Sequence, residues 1–126
     1  MSPPKSWQEL AATLINVAAG RSSADMVIKN GRWVNVHSAE IIPATDIAIS
    51  GGRFAYVGLN ADSMIGKDTK VSDAQGRYLV PGLFDGHMHV ESGQVTVTQF
   101  AAAGSPQGTT YQAISPSEVT NAPGLP

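Results

Sequence analysis

Two histidines separated by a single residue are the part of the sequence best suited to chemistry. His87 and His89 lie a few residues after Arg77–Val80, a run that predicts a β-strand. Because side chains alternate along a strand, positions i and i+2 share a face, so both imidazoles are expected to point the same way. Asp85 and Glu91 have the same parity and extend this polar face. The spacing therefore predicts a face on which two ring nitrogens could hold one metal ion.

The opposite face of the same stretch is apolar, with Phe84, Met88 and Val90 in alternate positions. A strand with polar ligands in front and an apolar back suits the inner wall of a parallel barrel, whose outside is covered by helices. A His-x-His pair alone also fits the solvent face of a half-buried antiparallel strand. The residues around the pair favour the first interpretation.

Those surrounding residues carry a resemblance to a known family. Pro81-Gly82, then Asp85, His87 and His89, resemble the Pro-Gly-x-x-Asp-x-His-x-His signature that ends the first barrel strand of the metal-dependent amidohydrolase superfamily. The extension Gly86–Ser92 looks like the adenine deaminases within it. The resemblance covers about residues 24–114, which is only the first part of such an enzyme.

The resemblance implies a hydrolase of purine metabolism that converts adenine to hypoxanthine and ammonia at a binuclear metal centre. His87 and His89 would be metal ligands, with Mn²⁺ or Fe²⁺ favoured and Zn²⁺ as an alternative. Bound metal lowers the pKa of water to about 7, which supplies hydroxide at neutral pH. Glu91 would bind the substrate by accepting hydrogen bonds from a purine N–H. Asp85 would orient a ligand or a backbone turn from the second layer of the site.

The length of 126 residues corresponds to one ordinary domain, whereas a complete (β/α)8 barrel (TIM barrel) needs about 250 residues. We predict an α/β plus β fold in three parts. These are an N-terminal helix in 1–22, a small antiparallel β-sandwich or barrel in 23–80, and the start of a truncated TIM-type barrel in 81–126. The chain is expected to be a fragment of a larger enzyme, a truncated product, or a small protein that reuses the start of one.

Local patterns predict the individual elements. A capping box at Ser6 and Glu9 begins a helix over about 7–19, which Gly20 ends. Asn30-Gly31 is typical of a type I′ hairpin turn, and further turns are predicted at Gly51-Gly52 and at Gln75-Gly76. The other predicted elements are strands at 24–29, 32–36, 40–42, 46–50, 53–57, 70–74, 78–80 and 82–90, a loop at 60–68, a helix at 95–103 and a strand at 109–114.

The sequence departs from the family after the predicted strand at 109–114. Adenine deaminases usually carry Asp-Pro-His-Glu there, and this chain has Ser115-Pro116-Ser117-Glu118. The family's remaining metal ligands and catalytic Asp come from later barrel strands that 126 residues cannot include. We therefore assign no catalytic residue within this chain, and expect it to bind metal poorly and to be inactive alone.

Composition excludes several classes of protein. Only 14% of residues are charged and the net charge is −2, so no basic surface for nucleic acid is expected. No apolar run is long enough to span a bilayer, and no secretory signal is apparent. The absence of cysteine excludes disulfides and the cysteine-zinc site of the other deaminase class. The default prediction is a cytoplasmic protein.

Two other functions stay open at this point. The chain could be a truncated, non-catalytic β-module that associates with other chains, including homo-oligomers formed through an exposed sheet edge. It could also be another cyclic-amidine or amide hydrolase of the superfamily. Glu91 argues against a dihydroorotase, because a carboxylate substrate would be expected to meet Arg at that position.

Overall fold

The computed structural model describes residues 6–114, and at Glu91 it describes the backbone alone. The chain divides into two compact units, Met1–Val80 and Pro81–Pro126. No helix within residues 6–114 combines the length and the apolar character needed to cross a bilayer.

Helix α1, Trp7–Ala18, begins with the predicted capping box. The Ser6 hydroxyl accepts from the Glu9 backbone N–H at 3.4 Å, and the Glu9 carboxylate accepts from the Ser6 backbone N–H at 2.6 Å. Gly20 follows with φ +68°, the left-handed conformation that ends many helices. Leu10, Leu14 and Val17 form the buried stripe of the helix. The predicted helix is confirmed.

The first unit contains one mixed sheet rather than the predicted antiparallel sandwich. Its strands are β1 (Met26–Asn35), β2 (Glu40–Ser50), β3 (Arg53–Gly58), β4 (Lys70–Asp73) and β5 (Tyr78–Leu79). The strand order is β3-β2-β1-β4, with β5 also paired to β1. Strands β1, β2 and β3 are antiparallel, whereas β4 and β5 both run parallel to β1. Helix α1 packs on β2 and β3.

The core of this unit lies between the helix and the sheet. Buried side chains from α1, the segment before β1, β1, β2 and the segment after β3 form one cluster: Val17, Ala24, Val27, Ala48, Ala61 and Met64. The two middle residues of the turn between β2 and β3 are Gly51 and Gly52, with φ +58° and +72°. This is the backbone that a tight two-residue hairpin requires, and the prediction of that turn is confirmed.

The predicted hairpin at Asn30-Gly31 is wrong. Strand β1 continues through both residues, and the chain reverses instead at 36–39, between β1 and β2. Asn30 does have the positive φ of a turn residue, +58°, but its backbone N–H is donated to the Asp46 carboxylate at 3.0 Å. A register shift against β2 follows, so the pair forms an irregular step within a long strand.

The same step in β1 is matched on the other side of the strand by an offset between β4 and β5. Strand β4 lies beside the first half of β1 and β5 beside the second half, and both run in the same direction. Between them, Gln75 and Gly76 have positive φ, and the Gly76 N–H donates to the Asn30 carbonyl at 2.8 Å. The predicted turn at Gln75-Gly76 is therefore a short offset that follows the irregularity of β1, and it does not reverse the chain.

A buried carboxylate holds the first unit together at this step. Asp46 is 2% exposed, and it accepts backbone N–H bonds from Asn30 and from Ala61, each at 3.0 Å. The Lys29 ammonium lies 3.3 Å from the same carboxylate and also pairs with Asp62. Asp46 therefore joins β1, β2 and the segment after β3.

Two pKa shifts accompany these contacts. The hydrogen bond to Asp62, helped by Asp46, raises the pKa of Lys29 above its ordinary value. The backbone N–H of Gln75, 2.8 Å from the Asp73 carboxylate, lowers the pKa of that carboxyl group, and the Asn30 side-chain amide at 3.1 Å adds to the effect. Both shifts favour the charged form in the folded protein.

The second unit is a strand, a helix and a second strand. Strand β6 spans Leu83–Met88, helix α2 spans Val97–Gly104, and strand β7 spans Thr109–Ile114. A second capping box, Thr96 with Gln99, begins α2. Strands β6 and β7 pair in parallel, as the predicted β-α-β unit requires. The predicted strand at 82–90 is too long, since β6 ends at Met88.

Candidate metal centre

The imidazoles of His87 and His89 meet at the end of β6. Their Nε2 atoms are 2.9 Å apart, the ring centroids are 4.7 Å apart, and the ring planes are inclined by 77°. His87 is exposed and His89 is half-buried within the described part of the chain. The structure therefore brings together the two residues that the spacing singled out.

The short distance between the Nε2 atoms limits the protonation states of the pair. At 2.9 Å, either one Nε2–H donates to the other nitrogen, or both nitrogens turn lone pairs toward a shared cation. The second arrangement requires both rings to be neutral with the proton on Nδ1, which is the usual form of metal-bound histidine. The pair is thus built from groups that are metal ligands when neutral.

The same distance tests the fit to an ion. Metal–imidazole bonds are about 2.0–2.1 Å for Zn²⁺. The two Nε2 atoms, 2.9 Å apart, are therefore close enough for both to contact one such ion.

Asp85 contacts the backbone of His87. Its Oδ1 accepts a hydrogen bond from the His87 backbone N–H at 3.2 Å. The pairing of β6 with β7 shifts register between Asp85 and Met88, so the simple alternation that placed Asp85 on the face of His87 is interrupted there. The carboxylate turns back onto its own strand and holds the backbone at His87 within the irregular part of β6.

The apolar back of β6 is only partly covered in the second unit. Phe84 is 64% exposed and stacks on Tyr111 of β7, with ring centroids 4.9 Å apart. Met88 is half-buried, while Val90 is 3% exposed. Within this unit, the covering of the apolar positions is therefore uneven, with Phe84 largely exposed and Val90 buried.

Other predicted site residues are not placed in the site. The side chain of Glu91 and the whole of Ser115 and Ser117 lie outside the described residues. In residues 6–114, no group of three or more His, Cys, Asp or Glu side chains is arranged to hold a metal ion. A cavity of about 90 Å³ between α2 and β7 lies apart from the histidines and is far smaller than the about 300 Å³ of a small-molecule pocket.

Sequence analysis missed two features that the structure shows to be important. Asp46 was assigned to an alternating strand, although its carboxylate is buried and organises three segments. The register shift in β6 was also missed, and Gly86 was its signal, since a lone glycine inside a strand often marks a bulge.

Known proteins similar to this chain are adenine deaminases. The chain is 65% identical over 123 residues to the adenine deaminase of Mesorhizobium japonicum, which covers 98% of this chain and 20% of that protein. It is 61% identical over 119 residues to adenine deaminase 3 of Rhizobium meliloti, and the match covers 94% of this chain and 20% of that protein. The adenine deaminase of Moorella thermoacetica is 50% identical over 117 residues, and the match covers 93% of this chain and 19% of that protein. The chain thus spans about a fifth of the length of these curated relatives.

Solved structures of hydrolases share the fold. Molinate hydrolase superposes on 79% of this chain and 26% of its own, with a TM-score of 0.59 and 20% identity. A prolidase crystallised with N-methylphosphonate-L-proline superposes on 71% of this chain and 25% of its own, with a TM-score of 0.56 and 17% identity. No protein-family model matches the chain. The identities to the adenine deaminases are high enough to confirm the resemblance predicted from the histidine segment: over nearly all of its length, the chain is homologous to the N-terminal part of the adenine deaminases.

Proposed function

We propose that this chain provides the first two metal ligands and the small sheet unit of a metal-dependent adenine deaminase. The observation that carries the proposal is the 2.9 Å approach of the His87 and His89 Nε2 atoms, in a sequence that is 65% identical to a named adenine deaminase. The reaction is the hydrolysis of adenine to hypoxanthine and ammonia. It belongs to a polypeptide or assembly that supplies the other ligands, in the cytoplasm.

In this proposal each residue of the chain has a defined part. His87 and His89 bind the ion through Nε2, and Asp85 holds the His87 backbone in place through its hydrogen bond to the N–H. Glu91 accepts a hydrogen bond from a purine N–H. The ion supplies hydroxide at neutral pH when bound. The resemblance to the adenine deaminases favours Mn²⁺ or Fe²⁺, with Zn²⁺ as the alternative.

A metal titration of the purified chain tests the ligand assignment. Mn²⁺ broadens the NMR signals of nuclei near it. A titration should therefore broaden the signals of residues around 87–89 first and give a large dissociation constant, which means weak binding. Replacing either histidine (His87→Ala or His89→Ala) should weaken Mn²⁺ binding at least about 10-fold, since even an outer-shell partner is worth 10- to 100-fold. His37→Ala is the matched control, because His37 lies in the exposed turn between β1 and β2. Equal binding by all four proteins would refute the assignment.

The activity is tested in two settings. The purified chain with Mn²⁺ and adenine should release no hypoxanthine, because two imidazoles do not complete a catalytic centre. A chimera in which this chain replaces the matched 123-residue stretch of the Mesorhizobium japonicum enzyme should be active, and should lose activity with His87→Ala but not with His37→Ala.

The chimera also tests the departure at Ser115 and Ser117. If the Asp and His usual in the family contribute to the reaction, Ser115→Asp with Ser117→His should raise the kcat of the chimera. Robust turnover by the 126-residue chain alone would contradict the proposal. The alternative, a non-catalytic module that associates with other chains, predicts a chimera that is stable and inactive even with both serines replaced.

A further inference from the structure

Strands β6 and β7 pair out of step in two places, and the two shifts cancel. Leu83 lies opposite Thr109, but the next residue, Phe84, lies opposite Tyr111, so Thr110 is an extra residue on β7. Asp85 lies opposite Gln112 and Met88 opposite Ile114, so β6 then carries one extra residue within Gly86-His87. Beyond Met88 the original offset between the strands is restored.

The second of these bulges lies at the histidine pair. A bulge re-aims the side chains on one strand, and bulges are rare in parallel pairs and frequent beside active sites. The backbone N–H of His87 is bound by the Asp85 carboxylate at 3.2 Å. The position of His87 therefore depends on β6 keeping its extra residue at Gly86-His87.

The first bulge depends on a close contact between Gly82 and Thr110. A Cβ built on Gly82 would lie 2.6 Å from the Thr110 Cβ and closer still to both atoms at the end of that side chain. Real Cβ atoms do not approach so closely, so only glycine at 82 leaves room for the threonine side chain of the bulged residue. The contact is made by the backbone of one strand and the extra residue of the other.

We propose that Gly82 and Thr110 form a register lock for the metal pair. The lock fixes β6 one residue out of step with β7 over Phe84 and Asp85, and so forces the compensating bulge at Gly86-His87. Both are positioning residues, acting through Asp85 on the His87 backbone. The inference rests on the proposed function, in which His87 and His89 bind one ion.

Removing the lock should turn Phe84 and Asp85 to the opposite face of β6, and so take the Asp85 carboxylate away from the His87 backbone N–H. An Ala side chain at 82 would push the Thr110 side chain away. Strands β6 and β7 would then pair regularly, with Phe84 opposite Thr110 and no extra residue on either strand. A one-residue slip turns every side chain in the segment to the other face. The stack of Phe84 on Tyr111 exists only in the shifted register, so it reports on the lock independently of any metal.

The test combines Mn²⁺ titration with NMR contacts between the Phe84 and Tyr111 rings, measured on the full 126-residue chain. In Gly82→Ala, the ring contacts should disappear and the dissociation constant for Mn²⁺ should rise about 10-fold, since loss of an outer-shell partner such as Asp85 costs about 10- to 100-fold in metal affinity. Gly104→Ala is the matched control, because a Cβ there comes no closer than 3.8 Å to its neighbours. It should keep the contacts and bind Mn²⁺ within twofold of the parent.

A size exchange separates loss of the lock from simple unfolding. Gly82→Ala with Thr110→Gly restores the space, whereas Thr110→Ala would not, because the Thr110 Cβ is itself too close. The exchange should restore the ring contacts and Mn²⁺ binding to within about threefold. Failure of this rescue, or unchanged binding and ring contacts in Gly82→Ala, would overturn the register lock. Parent-like Mn²⁺ binding by His87→Ala would instead refute the proposed metal site, while the ring contacts would still decide the lock.

Discussion

Replacing Asp46 by alanine should be among the most damaging single substitutions in the first unit. The carboxylate is 2% exposed and accepts two backbone N–H bonds at 3.0 Å, while the Lys29 ammonium lies 3.3 Å away. Removing it leaves two backbone N–H donors without their acceptor, and leaves Lys29 paired only with the exposed Asp62. Removing one partner of a buried pair costs about 3–5 kcal/mol. Asp46→Ala should therefore lower the free energy of unfolding by about that amount.

The neighbouring carboxylate provides the matched control. Asp62 pairs with the same lysine, but its side chain is 63% exposed, so Asp62→Ala should cost below about 1 kcal/mol. Asp46→Asn keeps one acceptor oxygen and the shape of the side chain, and should fall between the two. The ranking separates the buried hydrogen bonds from the charge pair.

Urea unfolding followed by tryptophan fluorescence measures all three variants. Trp33 is half-buried in β1 and should dominate the change, because Trp7 is 62% exposed and alters its surroundings little on unfolding. A loss of about 3–5 kcal/mol is a large part of the stability of a small domain. The parent and all three variants should therefore be measured in the same stabilising osmolyte. Equal losses for Asp46→Ala and Asp62→Ala would refute the reasoning.

Two further predictions concern pH and the glycine turn. Because the pKa of Asp73 is lowered in the folded state, the stabilisation by its carboxylate is present above pH 3.8, the ordinary pKa, and is lost as the pH falls below that value. In acid unfolding curves, the difference in stability between the parent and Asp73→Asn should therefore shrink below pH 3.8. The raised pKa of Lys29 affects stability in alkaline solution. The stabilisation by charged Lys29 is complete below pH 10.5 and is lost as the pH rises through the pKa of the folded state. Lys29→Met should abolish this loss in alkaline unfolding curves. Gly51→Ala and Gly52→Ala both force alanine into positive φ, at about 1 kcal/mol each. Gly51→Ala should cost about 1 kcal/mol more in thermal unfolding, because its Cβ would lie 2.6 Å from the buried Leu10 side chain, while nothing lies within 4 Å at Gly52; equal losses would contradict this.

Local chemistry in the sequence predicts the elements whose geometry is decided locally. The capping box at Ser6 and Glu9 and the paired glycines at 51 and 52 satisfy their own backbone requirements, so they form as predicted. The two histidines are brought together for a similar reason, because only one residue separates them. Each of these predictions depends on neighbours within a few positions.

Pairing between strands and contacts between side chains that are far apart in the sequence could not be predicted in the same way. Asn30-Gly31 has the composition of a turn, but the Asp46 carboxylate, distant in sequence, captures the Asn30 N–H and keeps the strand continuous. The parallel pairing of β4 and β5 with β1 likewise depends on residues far apart in the chain. The bulges in β6 and β7 arise from a contact between Gly82 and Thr110 that neither local sequence reveals.

The position of β1 in its sheet has a consequence for the order of assembly. One side of β1 is completed by β2, which follows directly, but the other side waits for β4 and β5. During translation the β1–β2–β3 meander can form early, while the open side of β1 stays unprotected until Leu79 has left the ribosome. Closing that long loop is entropically slow, so formation of the parallel half should limit the folding rate. Amide protons at the middle of β1 should then be the slowest in the unit to exchange with solvent.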